Sequence, residues 1–255
     1  MDIQVCSNDV EVAQRAAVTI AEEARAAQRA RGKFVFAVSG GRTPWLMLRA
    51  LCEQDVPWDG VRLVQVDERI APAGDPQRNL THIRDNLLAH APLRASQVYP
   101  MPVEASDLEA ATREYAKTLR ELGGSPPVLD LCHLGLGPDG HTASLVPGDP
   151  VLEVTDRDVA LTGGAYQGRR RMTLTYPVLN RARRILWLVT GAEKAAPLGR
   201  LLAADPSLPA GRVAQDRALV IADRAAAASC RPDLGQAATQ PGAPPQRSPM
   251  QERKV

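Results

Sequence analysis

Short apolar blocks and longer mixed blocks alternate along the chain. The apolar blocks predict buried strands, at residues Phe34–Val38, 61–66, 128–134, 158–161, 172–175, 185–190 and 218–221. The longer blocks predict helices, at residues 8–31, 44–54, 77–90 and 106–122. Because strands separated by helices favour a parallel sheet, we expect an α/β fold with a mostly parallel sheet and helices on both faces.

Three of the predicted helices carry start signals. Asn8 or Asp9 can cap the first helix, and Pro44 stands at the start of the second, where its missing N–H costs least. Ser106 and Glu109 have the spacing of a capping box at the start of the fourth.

The composition changes near residue 230. Residues 231–255 are rich in Pro, Gln, Ala and Gly and have almost no large apolar side chains. Such a segment cannot bury enough surface to offset the entropy of ordering it, so we predict a disordered tail at 231–255. Residues 1–230 are long enough for a single α/β domain, which is the organisation we expect.

Charge and cysteine content narrow the function classes. The chain has 31 Lys and Arg residues against 29 Asp and Glu residues. Four of the basic and two of the acidic residues lie in 231–255, so the charges of residues 1–230 are balanced, which argues against a nucleic-acid-binding body.

Four scattered cysteines without a CxxC pair indicate reduced thiols in a cytoplasmic protein. The sequence has no apolar run of membrane-spanning length and no secretory signal at its N-terminus, so we expect no membrane partner.

A polar loop follows each of four predicted strands. SGGRTP follows Phe34–Val38, DER follows 61–66, GLGPDGH follows 128–134, and GAEK follows 185–190. Ligands of open α/β sheets bind outside the carboxyl ends of the strands. Four polar loops at four such ends therefore predict one shared binding site.

The first of these loops has the features of a phosphate site. Ser39, Gly40, Gly41, Arg42 and Thr43 connect a strand to a helix start, where backbone N–H groups and a partial positive charge meet. The pattern is neither GxGxxG nor GxxxxGK[ST], so we expect a small phosphoester rather than a nucleotide. A plain turn is the alternative for this loop taken alone.

Charged and amide side chains in the other loops are candidate ligands of the same phosphate or sugar. Asp67 and Arg69 are the first and last residues of the DER segment, and Asn79 downstream either binds sugar hydroxyls or caps a helix. Lys194 in GAEK offers a second point charge. Arg171 is the best candidate of three consecutive arginines because it adjoins a predicted strand.

A histidine on the third loop is the candidate general base. His141 follows Asp139 on a tight loop at a strand end, and histidine titrates nearest neutrality. His133 lies inside the apolar strand and is expected in the core. We expect no metal, because no histidine pairs with the scattered cysteines and HExxH is absent. Ser144 is not in a GxSxG elbow, so a serine nucleophile has no support.

Taken together, these motifs resemble those of the 6-phosphogluconolactonases. The resemblance covers about residues 5–228, and one departure is Val146, where the family usually has Phe. The matching segments are GLGPDGHTASLVPG at 135–148, SGGRTP at 39–44, DER at 67–69 with Asn79, RMTLTYPVLNRAR at 171–183, VTGAEKA at 189–195 and VIAD at 220–223.

The resemblance implies a Rossmann-like fold shared with sugar-phosphate isomerases and deaminases. It also implies cofactor-free hydrolysis of 6-phospho-D-glucono-1,5-lactone to 6-phosphogluconate in the oxidative pentose phosphate pathway. The expected partner is thus a small phosphorylated sugar lactone; the sequence does not decide between a monomer and a homodimer.

The residues provide a mechanism for that reaction. The substrate phosphate would rest on the glycine loop after the first predicted strand, clamped by Arg69 and Lys194. His141 would take a proton from the attacking water, and Asp139 would orient the imidazole or position the sugar. Backbone N–H groups of residues 135–141 are the expected oxyanion donors.

Two rival functions are weighed against this one. Glucosamine-6-phosphate deaminases or isomerases share the fold and a DGH loop, but they typically have DEY where this chain has DER, and HIAFNEP where it has HTASLVP. A non-catalytic sugar-phosphate sensor would have no need of the Asp139 and His141 pair.

Overall fold

A computed structural model describes residues 1–230; the tail predicted as disordered, 231–255, lies outside the described residues. Ten strands run through the described part of the chain. They are β1 (Asp2–Cys6), β2 (Phe34–Val38), β3 (Val61–Gln65), β4 (Asp67–Arg69), β5 (Val98–Tyr99), β6 (Leu131–Gly135), β7 (Val159–Leu161), β8 (Arg171–Leu174), β9 (Arg184–Val189) and β10 (Ala218–Asp223).

Six α-helices accompany these strands within residues 1–230. They are α1 (Asp9–Arg31), α2 (Arg42–Leu51), α3 (Asn79–Ile83), α4 (Leu108–Gly123), α5 (Tyr176–Arg181) and α6 (Ala195–Leu202). A π-helical turn, Arg84–Leu88, continues α3. Short 3₁₀ turns lie at Trp58–Gly60, Ala95–Gln97, Pro150–Glu153, Ala192–Lys194, Pro209–Arg212 and Ala226–Ser229. No helix among these residues is both long and apolar enough to cross a bilayer.

Seven strands form one fully parallel sheet in the order β1-β10-β9-β6-β2-β3-β5. Both faces of this sheet are covered. Phe34, Phe36 and Val38 of β2 pack on the side of α1 and α2, whereas Val35 and Ala37 pack on the side of α4, α5 and α6. The predicted parallel, helix-covered α/β fold is confirmed.

The strand order reverses between β2 and β6. From β2 the chain proceeds outward to β3 and β5, and then returns to β6 on the other side of β2. In open α/β sheets such a switch point opens a crevice at the carboxyl ends of the two strands. The loops after β2 and β6 therefore border the same crevice.

A second, antiparallel sheet in the order β4-β8-β7 was not predicted. The DER segment, expected to be a loop, is strand β4, and the predicted strands 158–161 and 172–175 belong to this sheet instead of the parallel one. A three-residue polar strand has no apolar pattern of its own; it is held by its pairing with β8, about a hundred residues later.

Two of the three predicted helix starts differ from those in the structure. Helix α2 begins at Arg42, so that Pro44 lies later in the first turn, where backbone N–H groups also lack helical partners. Helix α4 is capped by Asp107, whose side chain accepts from the Ala110 N–H at 2.9 Å; the predicted Ser106 cap is wrong. Helix α1 is capped by Asn8, as expected.

Candidate active site

A cavity of about 690 Å³ opens at the carboxyl ends of β2, β6 and β9, beside β4 and β8. All the residues proposed from sequence line this cavity except Asp139, which lies against His141. The lining residues among them are Ser39, Gly40, Gly41, Arg42, Thr43, Asp67, Arg69, Asn79, His141, Arg171 and Lys194. Ser39 and Lys194 are far apart in sequence, and they meet here because β2 and β9 are parallel strands of one sheet.

The loop after β6 holds a carboxylate–imidazole pair. The Gly137 N–H donates to the His141 carbonyl at 2.8 Å, which folds the loop back on itself. Asp139 Oδ1 lies 2.6 Å from His141 Nδ1 and also accepts the His141 backbone N–H at 3.2 Å. Since a carboxylate accepts, Nδ1 carries the proton in this arrangement, and Nε2 presents its lone pair. None of the described residues forms a hydrogen bond with Nε2.

Burial and neighbouring groups shift the pKa values of Asp139 and of the nearby Lys194. Partial burial raises the pKa of Asp139, but hydrogen bonds from His141 and Tyr166 outweigh it and leave the pKa below its usual range. Burial lowers the pKa of Lys194, although the nearby carboxylates of Glu193 and Asp139 oppose this. The Asp139 side chain is therefore the charged partner that favours an oriented imidazole.

The loop after β2 leaves backbone donors open toward the cavity. The Ser39 N–H is engaged, donating to His133 Nδ1 at 3.2 Å, whereas the amides of Gly40 and Gly41 donate to no described residue. Thr43 and Thr190 hydroxyls are 2.7 Å apart, which joins this loop to the end of β9. The start of α2 follows directly, so its unpaired N–H groups add to an anion-binding surface.

Arg42 lies at the rim of the cavity rather than inside it. Its side chain is 88% exposed and lies 3.4 Å from the carboxylate of Asp9. An exposed ion pair of this kind contributes little to stability, so Arg42 is free to move toward an anion.

Strand β4 aims alternate side chains at the cavity. Asp67 and Arg69 both line it, whereas Glu68 between them is fully buried and accepts the N–H groups of Asn79 and Leu80 at the start of α3. Glu68 thus caps α3 from a neighbouring strand. Asn79, considered as a cap from sequence, instead uses its side chain to accept from Arg69 at 2.7 Å and to donate to the Asp67 carbonyl at 2.9 Å.

Two guanidinium groups converge on the cavity with unused donors. The Nε atoms of Arg69 and Arg171 are buried and have no hydrogen-bond partner among residues 1–230. Arg171 is 3% exposed, and its Nη1 is 3.9 Å from Asp67 Oδ2. Burial lowers the pKa of Arg171, with opposition from Asp67. One buried and one half-buried cation beside the single carboxylate of Asp67 leave net positive charge, which suits a dianion.

The loop with Lys194 is anchored by the end of β10. The carboxylate of Asp223 accepts the Gly191 N–H at 3.0 Å and the Ala226 N–H at 2.7 Å. Lys194 therefore reaches the cavity from a fixed 3₁₀ turn. Among residues 1–230, no group of three His, Cys, Asp or Glu side chains is arranged to hold a metal ion.

Sequence reasoning missed the contacts of two side chains in this region. Ser144 is fully buried, and its hydroxyl donates to Asp67 Oδ2 at 2.7 Å. Tyr166 donates from its hydroxyl to Asp139 Oδ2 at 3.0 Å. The only sequence signal for Tyr166 is an aromatic residue within the glycine-flanked segment GGAYQG.

The expected oxyanion donors are largely engaged. The N–H groups of Gly137, Gly140 and His141 all donate within the 135–141 loop. In this conformation these three amides are not open to an oxyanion.

Comparisons with known proteins place the chain among sugar-phosphate enzymes of one family. Residues 7–221 match the family described as glucosamine-6-phosphate isomerases/6-phosphogluconolactonase. The chain is 35% identical over 238 residues to a 6-phosphogluconolactonase of Synechocystis, covering 90% of this chain and 98% of the relative. It is 38% identical over 199 residues to a human 6-phosphogluconolactonase, covering 75% and 74%. The crystal structure of a 6-phosphogluconolactonase from Thermotoga maritima superimposes with a TM-score of 0.78 at 27% identity, covering 87% of this chain and 98% of that one.

Proposed function

Because this chain belongs to the family of glucosamine-6-phosphate isomerases and 6-phosphogluconolactonases, we propose that it is a 6-phosphogluconolactonase. The reaction is hydrolysis of 6-phospho-D-glucono-1,5-lactone to 6-phosphogluconate, a step of the oxidative pentose phosphate pathway. One observation carries the proposal: the Asp139–His141 pair, with Nε2 unengaged, faces the same cavity as three basic side chains, Arg69, Arg171 and Lys194.

The basic end of the cavity binds the phosphate. The dianion sits between the free amides of Gly40 and Gly41 and the guanidinium groups of Arg69 and Arg171, whose Nε atoms have no partner among residues 1–230. Charge-assisted hydrogen bonds are worth roughly 1.5–3 kcal/mol each, so two or three hold the substrate firmly. Lys194 lines the same cavity and adds a point charge.

The histidine moves the proton during hydrolysis. A water gives its proton to His141 Nε2 while its oxygen attacks the lactone carbonyl, and Asp139 stabilises the resulting imidazolium through Nδ1. Collapse of the tetrahedral intermediate breaks the bond to the ring oxygen, which takes the proton back from Nε2. The product is the open-chain acid, which ionises to its carboxylate. General-base assistance of this kind is worth about 10²–10⁴-fold.

We also propose a single domain in residues 1–230 that acts in the cytoplasm on this small-molecule substrate, without a cofactor. One observation supports the single domain and another supports the cytoplasm. Hydrophobic core clusters on both faces of the main sheet extend along its strands. All four cysteines are free thiols, as is usual in a reducing compartment.

The test is lactone disappearance. Glucose-6-phosphate dehydrogenase generates the lactone in situ, and its decay is followed with and without the protein. Acceleration over spontaneous hydrolysis supports the proposal. Without acceleration the lactonase assignment fails; ammonia release from glucosamine 6-phosphate would then indicate a deaminase, and binding of 6-phosphogluconate without turnover would indicate a sensor.

A further inference from the structure

The hairpin between β7 and β8 ends in a tight turn over the active site. Tyr166 and Arg169 pair across the turn, with the Tyr166 N–H donating to the Arg169 carbonyl at 2.9 Å. The two residues between them, Gln167 and Gly168, both have positive φ, 53° and 81°, as a type I′ turn requires. A non-glycine residue at positive φ is unfavourable, so the contacts of this turn must offset that strain.

One side of Tyr166 contacts the catalytic pair. Its hydroxyl donates to Asp139 Oδ2 at 3.0 Å and lies 3.4 Å from His141 Nδ1. The two rings meet edge to face, with centroids 5.1 Å apart and planes at 63°. Each oxygen of the Asp139 carboxylate thus has its own donor, Oδ1 from His141 and Oδ2 from Tyr166. With both oxygens held, the carboxylate cannot rotate without losing a hydrogen bond.

The other side of Tyr166 contacts an arginine of the proposed phosphate site. The Arg171 guanidinium lies 4.9 Å from the centroid of the Tyr166 ring, within cation–π distance. Arg171 Nη2 also donates to the Tyr166 carbonyl at 3.3 Å and to Gln167 Oε1 at 3.2 Å. These contacts fix the turn, including its positive-φ glutamine, against the buried arginine.

From this placement we propose that Tyr166 is a positioning residue for His141. Its hydroxyl fixes the Asp139 carboxylate so that the imidazole is held with Nε2 open, and it shares the carboxylate charge that would otherwise act on the imidazole alone. The inference rests on the proposed lactonase function. Burial and the hydrogen bond to Asp139 raise the pKa of Tyr166, so the phenol stays protonated and donates throughout the neutral range.

Removing the Tyr166 hydroxyl should shift the protonation of His141 in a defined direction. Without its second donor, the Asp139 carboxylate attracts the imidazolium more strongly, so His141 should be protonated at higher pH. Removing only the hydroxyl retains all the other charged side chains that line the cavity with His141, which are Asp9, Arg42, Asp67, Arg69, Arg171, Glu193, Lys194 and Asp223.

The experiment compares wild type with Tyr166→Phe, which keeps the ring over Arg171. The variant should lower kcat about tenfold, the equivalent of one charge-assisted hydrogen bond, with KM within about twofold. The acid limb of the kcat/KM profile should move to higher pH. Tyr99→Phe is the matched control, because its hydroxyl has no hydrogen-bond partner in the described chain and lies outside the cavity.

A second readout does not depend on turnover. The imidazole of His141 is titrated by NMR in the free protein, and Tyr166→Phe should raise its midpoint, whereas the same change in an Asp139→Asn background should not. If wild type has no lactonase activity, the proposed function fails while this titration still tests the contact. An unmoved titration in Tyr166→Phe, or a rise in KM without a fall in kcat, overturns the positioning role.

Discussion

Acidification should destabilise this protein through His133, which lies fully buried in the middle of β6. Its Nδ1 accepts the Ser39 N–H, and its Nε2 has no hydrogen-bond partner among residues 1–230. Burial lowers the pKa of His133 from 6.5 to about 3. The native state therefore holds a neutral imidazole and cannot accept a proton without losing the contact to the loop after β2.

The direction and size of the change in the free energy of unfolding follow from the protons that each state binds. The unfolded chain has an ordinary histidine pKa of about 6.5 and so binds more protons than the native state between about pH 6.5 and pH 3. The stabilisation is fully present above that window and is lost as the pH falls through it. The slope is about half its limiting value at the unfolded pKa and approaches about 1.4 kcal/mol per pH unit only below it, so the loss from about pH 6.5 to pH 4.5 is about 2 kcal/mol for this residue.

The measurement is the free energy of unfolding in urea at both pH values, for wild type and His133→Asn. An asparagine oxygen can still accept the Ser39 N–H but does not titrate. Wild type should lose about 2 kcal/mol more than the variant on acidification. His90→Asn, at an exposed position, is the control and should behave as wild type. Equal losses in wild type and His133→Asn would refute the reasoning.

Two further substitutions test the binding and catalytic ends of the cavity. Arg69→Ala should raise KM about 10–100-fold, because one or two charge-assisted hydrogen bonds are lost, with a small change in kcat and partial recovery in Arg69→Lys. Steady-state kinetics measures both constants, and a fall in kcat at unchanged KM would contradict this. Gly137→Ala should lower kcat without lowering the melting temperature much, because a Cβ there would overlap the His141 imidazole and lie 2.6 Å from Asp139 Oδ1. Gly199→Ala in α6, where a Cβ meets nothing within 4 Å, is its control, and equal activity of the two variants would argue against the close packing.

The parallel sheet was predictable because its central strands carry a strong local signal. Strand β2 has the predicted bounds, and the predicted strand at 128–134 contains the fully buried core of β6, although β6 begins at Leu131. Strand β1 was missed because it lies at the sheet edge, pairs only with β10 and has mostly exposed residues, so it lacks an apolar pattern.

The location of the site was predictable for a topological reason, whereas its internal contacts were not. Parallel strands end at one edge, so polar loops after β2, β6 and β9 had to meet. The hydrogen bonds that Ser144 makes to Asp67, and Tyr166 to Asp139, join residues far apart in sequence. They depend on the second sheet, whose strand β4 is only three residues long.

The most direct test of the account is lactone hydrolysis by wild type and His141→Ala, with 6-phosphogluconolactone generated in situ and spontaneous hydrolysis subtracted. We predict acceleration by wild type, a fall of kcat by about 10²–10⁴-fold in the variant, and little change in KM. His82→Ala, outside the cavity, should retain wild-type kcat. An unchanged kcat in His141→Ala would remove His141 as the base and contradict the central claim.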